Sequence, residues 1–146
     1  MLFLLKRSSS SRFIFTRYLF SSKGGVCTIR GAAEKVCEQA VAYIQRYYNR
    51  QLKMTDIAQE LHYHADYLTR CMQKTMGVGP LQYLNEVRLQ KAKQLLAATT
   101  EKINTISQQV GIQDEMYFSR LFRKREGISP QEYRRMMQRD YCKVGE

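Results

Sequence analysis

Residues 115–134 read EMYFSRLFRKREGISPQEYR, and residues 65–84 read ADYLTRCMQKTMGVGPLQYL. Set against each other at an offset of 50, the two stretches match at position after position. Tyr67 pairs with Tyr117, Leu68 with Phe118, Thr69-Arg70 with Ser119-Arg120, and Met72 with Phe122. Lys74 pairs with Lys124, Gly77 with Gly127, Pro80 with Pro130, and Tyr83 with Tyr133. Upstream the offset falls to 49, with Ile57 against Ile106, Ala58 against Ser107 and Leu61 against Val110, so one extra residue belongs in the turn of the second copy. Such a match within 146 residues marks two copies of one supersecondary unit, too few for a solenoid.

Each copy has the same internal logic. A short helix (55–61; 103–110) carries apolar residues spaced four apart, and a tight turn follows, where Gly111 supplies positive φ in the second copy. A second helix (65–76; 115–126) presents Leu68, Cys71 and Met72, or Phe118, Leu121 and Phe122, to a core. Gly77 and Gly127 fit C′ positions that end those helices. Ala58 and Ser107 are small where paired helices must approach closely, and Thr55 is placed to cap the first short helix. Two short helices joined by a tight turn form a helix-turn-helix.

Outward from the repeat, residues 80–98 read as one long helix with Pro80 in its first turn, where a missing N–H costs least. Its buried face is expected to be Tyr83, Leu84, Val87, Ala92, Leu95 and Leu96. Val36, Ala40, Val41, Ile44 and Tyr48 form the apolar stripe of a helix beginning near Glu34 and closed by Asn49. The expected fold is all-α, with about seven helices: two helix-turn-helix subdomains (about 54–76 and about 103–126) joined by the linker helix, the whole unit spanning 34–139, with residues 140–146 as a tail.

Residues 1–33 hold six cations and no acid, together with Ser8 to Ser11, Ser21 and Ser22. That composition suits a transit peptide, a basic arm or a remnant of an upstream domain; Phe13, Phe15, Tyr18 and Phe20 could form a short strand there. The whole chain carries a formal charge of +11, leaving +5 for residues 34–146. A chain this short and basic points to a polyanion, either nucleic acid or an anionic membrane surface. No apolar run of spanning length occurs, so no membrane-spanning helix is expected. The four cysteines (27, 37, 71 and 142) lack CxxC spacing, which argues against a zinc site and for a reducing cytosol. His62 and His64 lie two apart without a nearby acid or Cys pair and are read as turn or capping residues rather than metal ligands.

The repeat resembles the DNA-binding domain of AraC/XylS-type transcription regulators. The resemblance rests on Asp56-Ile57-Ala58, Tyr67-Leu68-Thr69-Arg70, Arg88-Leu89 with Ala92, Leu95 and Leu96, Val110-Gly111-Ile112 with Asp114, Tyr117-Phe118-Ser119-Arg120 with Phe122-Arg123-Lys124, and Gly127-Ile128-Ser129-Pro130 with Tyr133-Arg134. Three residues depart from the pattern: His64 stands in place of a capping Ser, Ser107 in place of Ala, and Ile112 in place of Phe.

The resemblance implies sequence-specific binding of double-stranded DNA, transcription regulation by activation, RNA polymerase as a partner, and a bacterial, cytoplasmic, nucleoid-associated location. One monomer would insert two recognition helices into successive major-groove segments; the oligomeric state stays open. With Leu68, Cys71 and Met72 inward, the first recognition helix leaves Asp66, Thr69, Arg70 and Gln73 outward. With Phe118, Leu121 and Phe122 inward, the second leaves Glu115, Met116, Ser119 and Arg120 outward. Arg70 and Arg120 have the fork that reads guanine, Thr69 and Ser119 suit bases or phosphates, and Met116 suits a thymine methyl. Asp66 and Glu115 can accept from a cytosine amino group, whereas Lys74, Arg123, Lys124 and Arg125 suit phosphates. Tyr67 and Tyr117 are read as packing residues. No cofactor or metal is expected.

The 33 residues ahead of the repeat are too few for the sensing or dimerising domain that the resemblance implies, so the expectation is a minimal regulator or a truncated copy of a longer one. Two other classes compete. One is a non-specific basic protein that coats DNA or a membrane surface. The other is a DNA-repair alkyl transferase, disfavoured because no Cys sits in a metal-type cluster and Cys71, although next to Arg70, lies on the core face of its helix.

Overall fold

The computed structural model describes residues 31–144, so the strand considered at 13–20 lies outside the described residues. Among the described residues the chain forms seven helices and no strand: α1 (Ala32–Tyr47), α2 (Met54–Glu60), α3 (Ala65–Met76), α4 (Pro80–Ala98), α5 (Ile103–Gln109), α6 (Glu115–Glu126) and α7 (Pro130–Val144). The all-α expectation is met. Residues 140–144 continue α7 rather than forming a tail.

Two apolar cores organise these helices. The first gathers Val36, Cys37, Ala40, Val41 and Ile44 of α1, Ile57 of α2, Leu68, Cys71, Met72 and Met76 of α3, and Tyr83, Leu84 and Val87 from the start of α4. The second gathers Leu89, Ala92 and Leu96 from the rest of α4 with Ile106, Val110 and Ile112, and Phe118 and Phe122 of α6. Phe118 and Phe122 have ring centroids 5.8 Å apart, and Phe122 meets Tyr133 of α7 edge-on at 5.5 Å. Each buried side chain of this size stabilises the fold by about 1.5–3 kcal/mol.

The linker helix therefore serves two cores in succession, and its buried residues do not follow one stripe. Leu89 is buried although the apolar pattern leaves it out, and Leu95 is only half-buried, packed against the rim of the second core.

The helix ends show how local chemistry sets the boundaries. Gly77 and Gly127 adopt φ of 75° and 84°, and their N–H groups donate to the carbonyls of Gln73 and Arg123. The cap of α2 is Lys53, not Thr55: the helix starts one residue earlier, and the Lys53 backbone N–H donates to Asp56 Oδ2 at 2.9 Å. Ser129 and Glu132 form a reciprocal capping box on α7, with the Ser129 N–H donating to Glu132 Oε2 at 2.8 Å and the Glu132 N–H to Ser129 Oγ at 3.2 Å. The Ser129 backbone N–H, followed by the Ser129 side chain, holds the Glu132 carboxyl below its ordinary range.

The two turns are built alike. In the first, the His62 and Tyr63 N–H groups donate to the carbonyls of Gln59 and Ala58; in the second, Gly111 and Ile112 donate to Gln108 and Ser107. His62 carries φ of 58°, the same left-handed conformation that Gly111 holds at 88°. Its role in the turn is thus backbone geometry. The extra residue of the second copy is Gln113, which separates Ile112 from the cap Asp114, whereas Tyr63 leads directly into the cap His64.

Candidate nucleic-acid interface

Helices α3 and α6 are equivalent 12-residue elements, each fixed by its own core. On α3 the residues opposite the core are Asp66, Arg70 and Gln73, all exposed, spaced i, i+4 and i+7 along one face. On α6 the same register holds Met116, Arg120 and Arg123, also exposed, with Met116 at 70%. Lys74 and Lys124 lie exposed on one flank. Glu115, at the start of α6, is exposed beside this row rather than within it. Arg123, expected to meet a phosphate, shares the outward row of Arg120 at the position equivalent to Gln73.

The smaller polar residues are held more tightly. Thr69 is half-buried; its Oγ1 donates to the Ala65 carbonyl at 2.8 Å, so its hydroxyl proton is used within the helix. Ser119 is half-buried on the equivalent flank. Arg125 is not available to a phosphate, because it forms an ion pair with Glu86 of α4. Lys93 of α4 makes a second pair with Glu126 of α6 at 3.0 Å. Burial raises the Glu86 carboxyl above its ordinary range, with Arg125 and Lys93 acting in the opposite sense. Both pairs tether α6 to the linker helix.

The reading of Tyr67 and Tyr117 as packing residues holds only in part. They are 39% and 44% exposed, although the Tyr67 ring lies 5.9 Å from that of Tyr63. Cys71 does behave as a small hydrophobe, buried in the first core beside Cys37, whose thiol is raised to about 11 mainly by burial.

The starts of the two helices differ. Asp114 Oδ1 accepts from the backbone N–H groups of Met116 and Tyr117 at 2.8 and 3.1 Å, capping α6. His64 makes no side-chain cap on α3.

The sequence offers Arg88 only as part of the linker-helix resemblance and assigns it no role. In the structure Arg88 is 8% exposed, with Nε donating to the Tyr48 carbonyl at 2.9 Å and an Nη to the Arg50 carbonyl at 2.7 Å. It thereby satisfies backbone groups where the chain leaves α1. Desolvation pulls its guanidinium below the ordinary range, and Tyr117 acts in the opposite sense. The signal available in the sequence was a single cation set among the apolar residues Tyr83, Leu84, Val87 and Leu89.

A family model described as a helix-turn-helix domain matches residues 57–136. The chain is 46% identical over 111 residues to the uncharacterized HTH-type transcriptional regulator YisR of Bacillus subtilis, covering 76% of this chain and 39% of that protein. A solved structure titled as a transcriptional regulator with an AraC-type DNA-binding domain, from Chromobacterium violaceum, aligns with a TM-score of 0.67 and 27% identity, covering 74% of this chain and 96% of that one. The chain belongs to the AraC-type helix-turn-helix family. The lactose operon transcription activator of Staphylococcus xylosus is a further relative, 35% identical over 97 residues, covering 66% of this chain and 35% of that protein. The chain thus spans about two fifths or less of the length of these curated relatives. The AraC-type family is one of DNA-binding transcription regulators, not of enzymes. Among the described residues no helix is long and apolar enough to cross a membrane.

Proposed function

We propose that this chain binds double-stranded DNA sequence-specifically and regulates transcription, as an activator, by inserting α3 and α6 into successive major-groove segments. The observation that supports this best is the matched pair of outward rows, Asp66–Arg70–Gln73 and Met116–Arg120–Arg123, on equivalent helices anchored in separate cores. A major groove ~12 Å wide admits one helix, and its base edges are read by side chains on the exposed face. Arg70 and Arg120 recur at one helical position and each reads a guanine. Met116 meets a thymine methyl, and Asp66, Gln73 and Glu115 serve as further base-edge partners. Thr69 and Ser119 contribute at the groove wall. Lys74, Lys124 and Arg123 meet phosphates, which fix register without specifying sequence.

Activation, with RNA polymerase as a second partner, is the reading favoured by the activator among the relatives. A single copy of the chain carries both reading helices, so binding as a monomer suffices. The test is selection of sites from random duplexes, followed by footprinting of the winner. A preferred site bound about 10³-fold or more above random DNA is expected; equal affinity for every duplex would overturn the proposal in favour of non-specific coating.

A further inference from the structure

The end of α1 lies where the two halves of the molecule meet. Tyr48, Asn49 and Arg50 follow directly from a helix of the first core. Arg88 reaches these residues from the middle of α4, donating to the carbonyls of Tyr48 and Arg50. The second half touches the same segment. A Cβ on Gly111, in the turn between α5 and α6, would stand 2.7 Å from the Tyr48 carbonyl oxygen and 2.9 Å from the Asn49 carbonyl carbon.

Here the end of a first-core helix stands against the turn of the second core, alongside the continuous backbone of α4. A planar fork carrying two short bonds to fixed carbonyls resists rotation in a way a flexible ammonium cannot. The Glu86–Arg125 and Lys93–Glu126 pairs fix α6 to α4, and Arg88 fixes α4 to the end of α1. The chain of contacts runs from one recognition helix to the other.

We infer that Arg88, clamping residues 48–50 beside Gly111, is a positioning residue that sets the spacing and phase at which the two recognition helices meet DNA. The inference rests on the two-helix reading above. It concerns which separation of half-sites is accepted, not which bases are read. Inserting one base pair moves the second half-site by about 3.4 Å and rotates it by about a tenth of a turn. A rigid junction passes that mismatch to the DNA as deformation, whereas a loose one absorbs it.

The test measures affinity of the whole chain for the selected site and for versions with one base pair inserted or removed between the half-sites. Wild type should lose about tenfold at either change. Arg88→Gln should bind the selected spacing more weakly and lose less than about threefold on changing it, with its base preferences inside each half-site intact. Arg88→Lys should fall between the two. An Arg88→Gln spacing penalty equal to that of wild type would overturn the inference. If wild type itself ignores spacing, the two-helix reading falls, and the spacing role of Arg88 with it. Residual dipolar couplings on the free protein read the junction without DNA. One alignment tensor should fit residues 32–87 and 89–144 of wild type; two unequal tensors would overturn the inference even if neither variant folds.

Discussion

Replacing Gly111 with Ala should destabilise the fold far more than a single methyl group suggests. Gly111 holds φ of 88°, a conformation that costs an L-residue about 1–2 kcal/mol. The new Cβ would also stand 2.7 Å from the Tyr48 carbonyl oxygen and 2.9 and 3.0 Å from the carbonyl carbon and oxygen of Asn49. These are backbone atoms, and Arg88 holds the carbonyls of Tyr48 and of Arg50 on either side of Asn49, so the clash cannot be relieved by a side-chain rotation, and forced repacking of this kind costs about 1–3 kcal/mol. Alanine stiffens the unfolded chain, which offsets about 0.4–1 kcal/mol. The net loss should be about 1–4.5 kcal/mol. The equivalent turn provides the control. His62→Gly relieves left-handed strain of about 1–2 kcal/mol and gives up about 0.5–1 kcal/mol of backbone entropy, so it should be neutral or stabilising by up to about 1.5 kcal/mol. Urea denaturation followed by far-UV circular dichroism measures both. A Gly111→Ala variant within about 0.5 kcal/mol of wild type would refute the close approach of this turn to the end of α1.

Asp114→Ala should cost about 1 kcal/mol in the same assay by removing the cap on α6, while His64→Ser should add a comparable amount by supplying the cap that α3 lacks. Leu96→Asp should unfold the chain or cost about 3 kcal/mol or more, because it leaves an unpaired charge in the second core; Leu95→Asp, at a half-buried site, should cost clearly less, and equal melting temperatures would refute that placement. The lowered pKa of Glu132 means that its capping contribution is fully present above the ordinary value of 4.5 and is lost as pH falls through the lower folded value. Thermal melts of Glu132→Gln should therefore show a shallower acid limb than wild type; identical slopes would show that the Ser129 box adds nothing.

The repeat is legible because it writes the same packing twice. Leu68 and Met72 are echoed by Phe118 and Phe122, and Gly77 by Gly127, so both helix pairs and the glycine ends of their second helices follow from the residue pattern, whereas the start of α2 and the place of Arg123 do not. The linker helix is legible in extent but not in face. A helix that crosses from one core to another shows no single stripe, which is why the pattern omits Leu89 and places Leu95 too deep. Arg88 escapes because its partners are carbonyls 38 and 40 residues away, and backbone acceptors leave no pattern in a sequence. Arg125 escapes for a related reason: next to Arg123 and Lys124 it looks like one more phosphate contact, and its pairing with Glu86 depends on how α6 packs against α4. His62 is recoverable, since alignment at an offset of 49 sets it against Gly111.

The most direct test of DNA reading by α3 and α6 compares Arg120→Ala with Lys124→Ala on the selected site and its single-base variants over a range of salt. Arg120 stands in the outward row and Lys124 on its flank, both exposed. Arg120→Ala should lose about 1–3 kcal/mol on the selected site and become indifferent to one base pair, with Arg70→Ala doing the same in the other half-site. Lys124→Ala should weaken every sequence alike and lower the salt slope by about one. Uniform losses across all sequences for both arginine variants would contradict the assignment of α3 and α6 as reading helices.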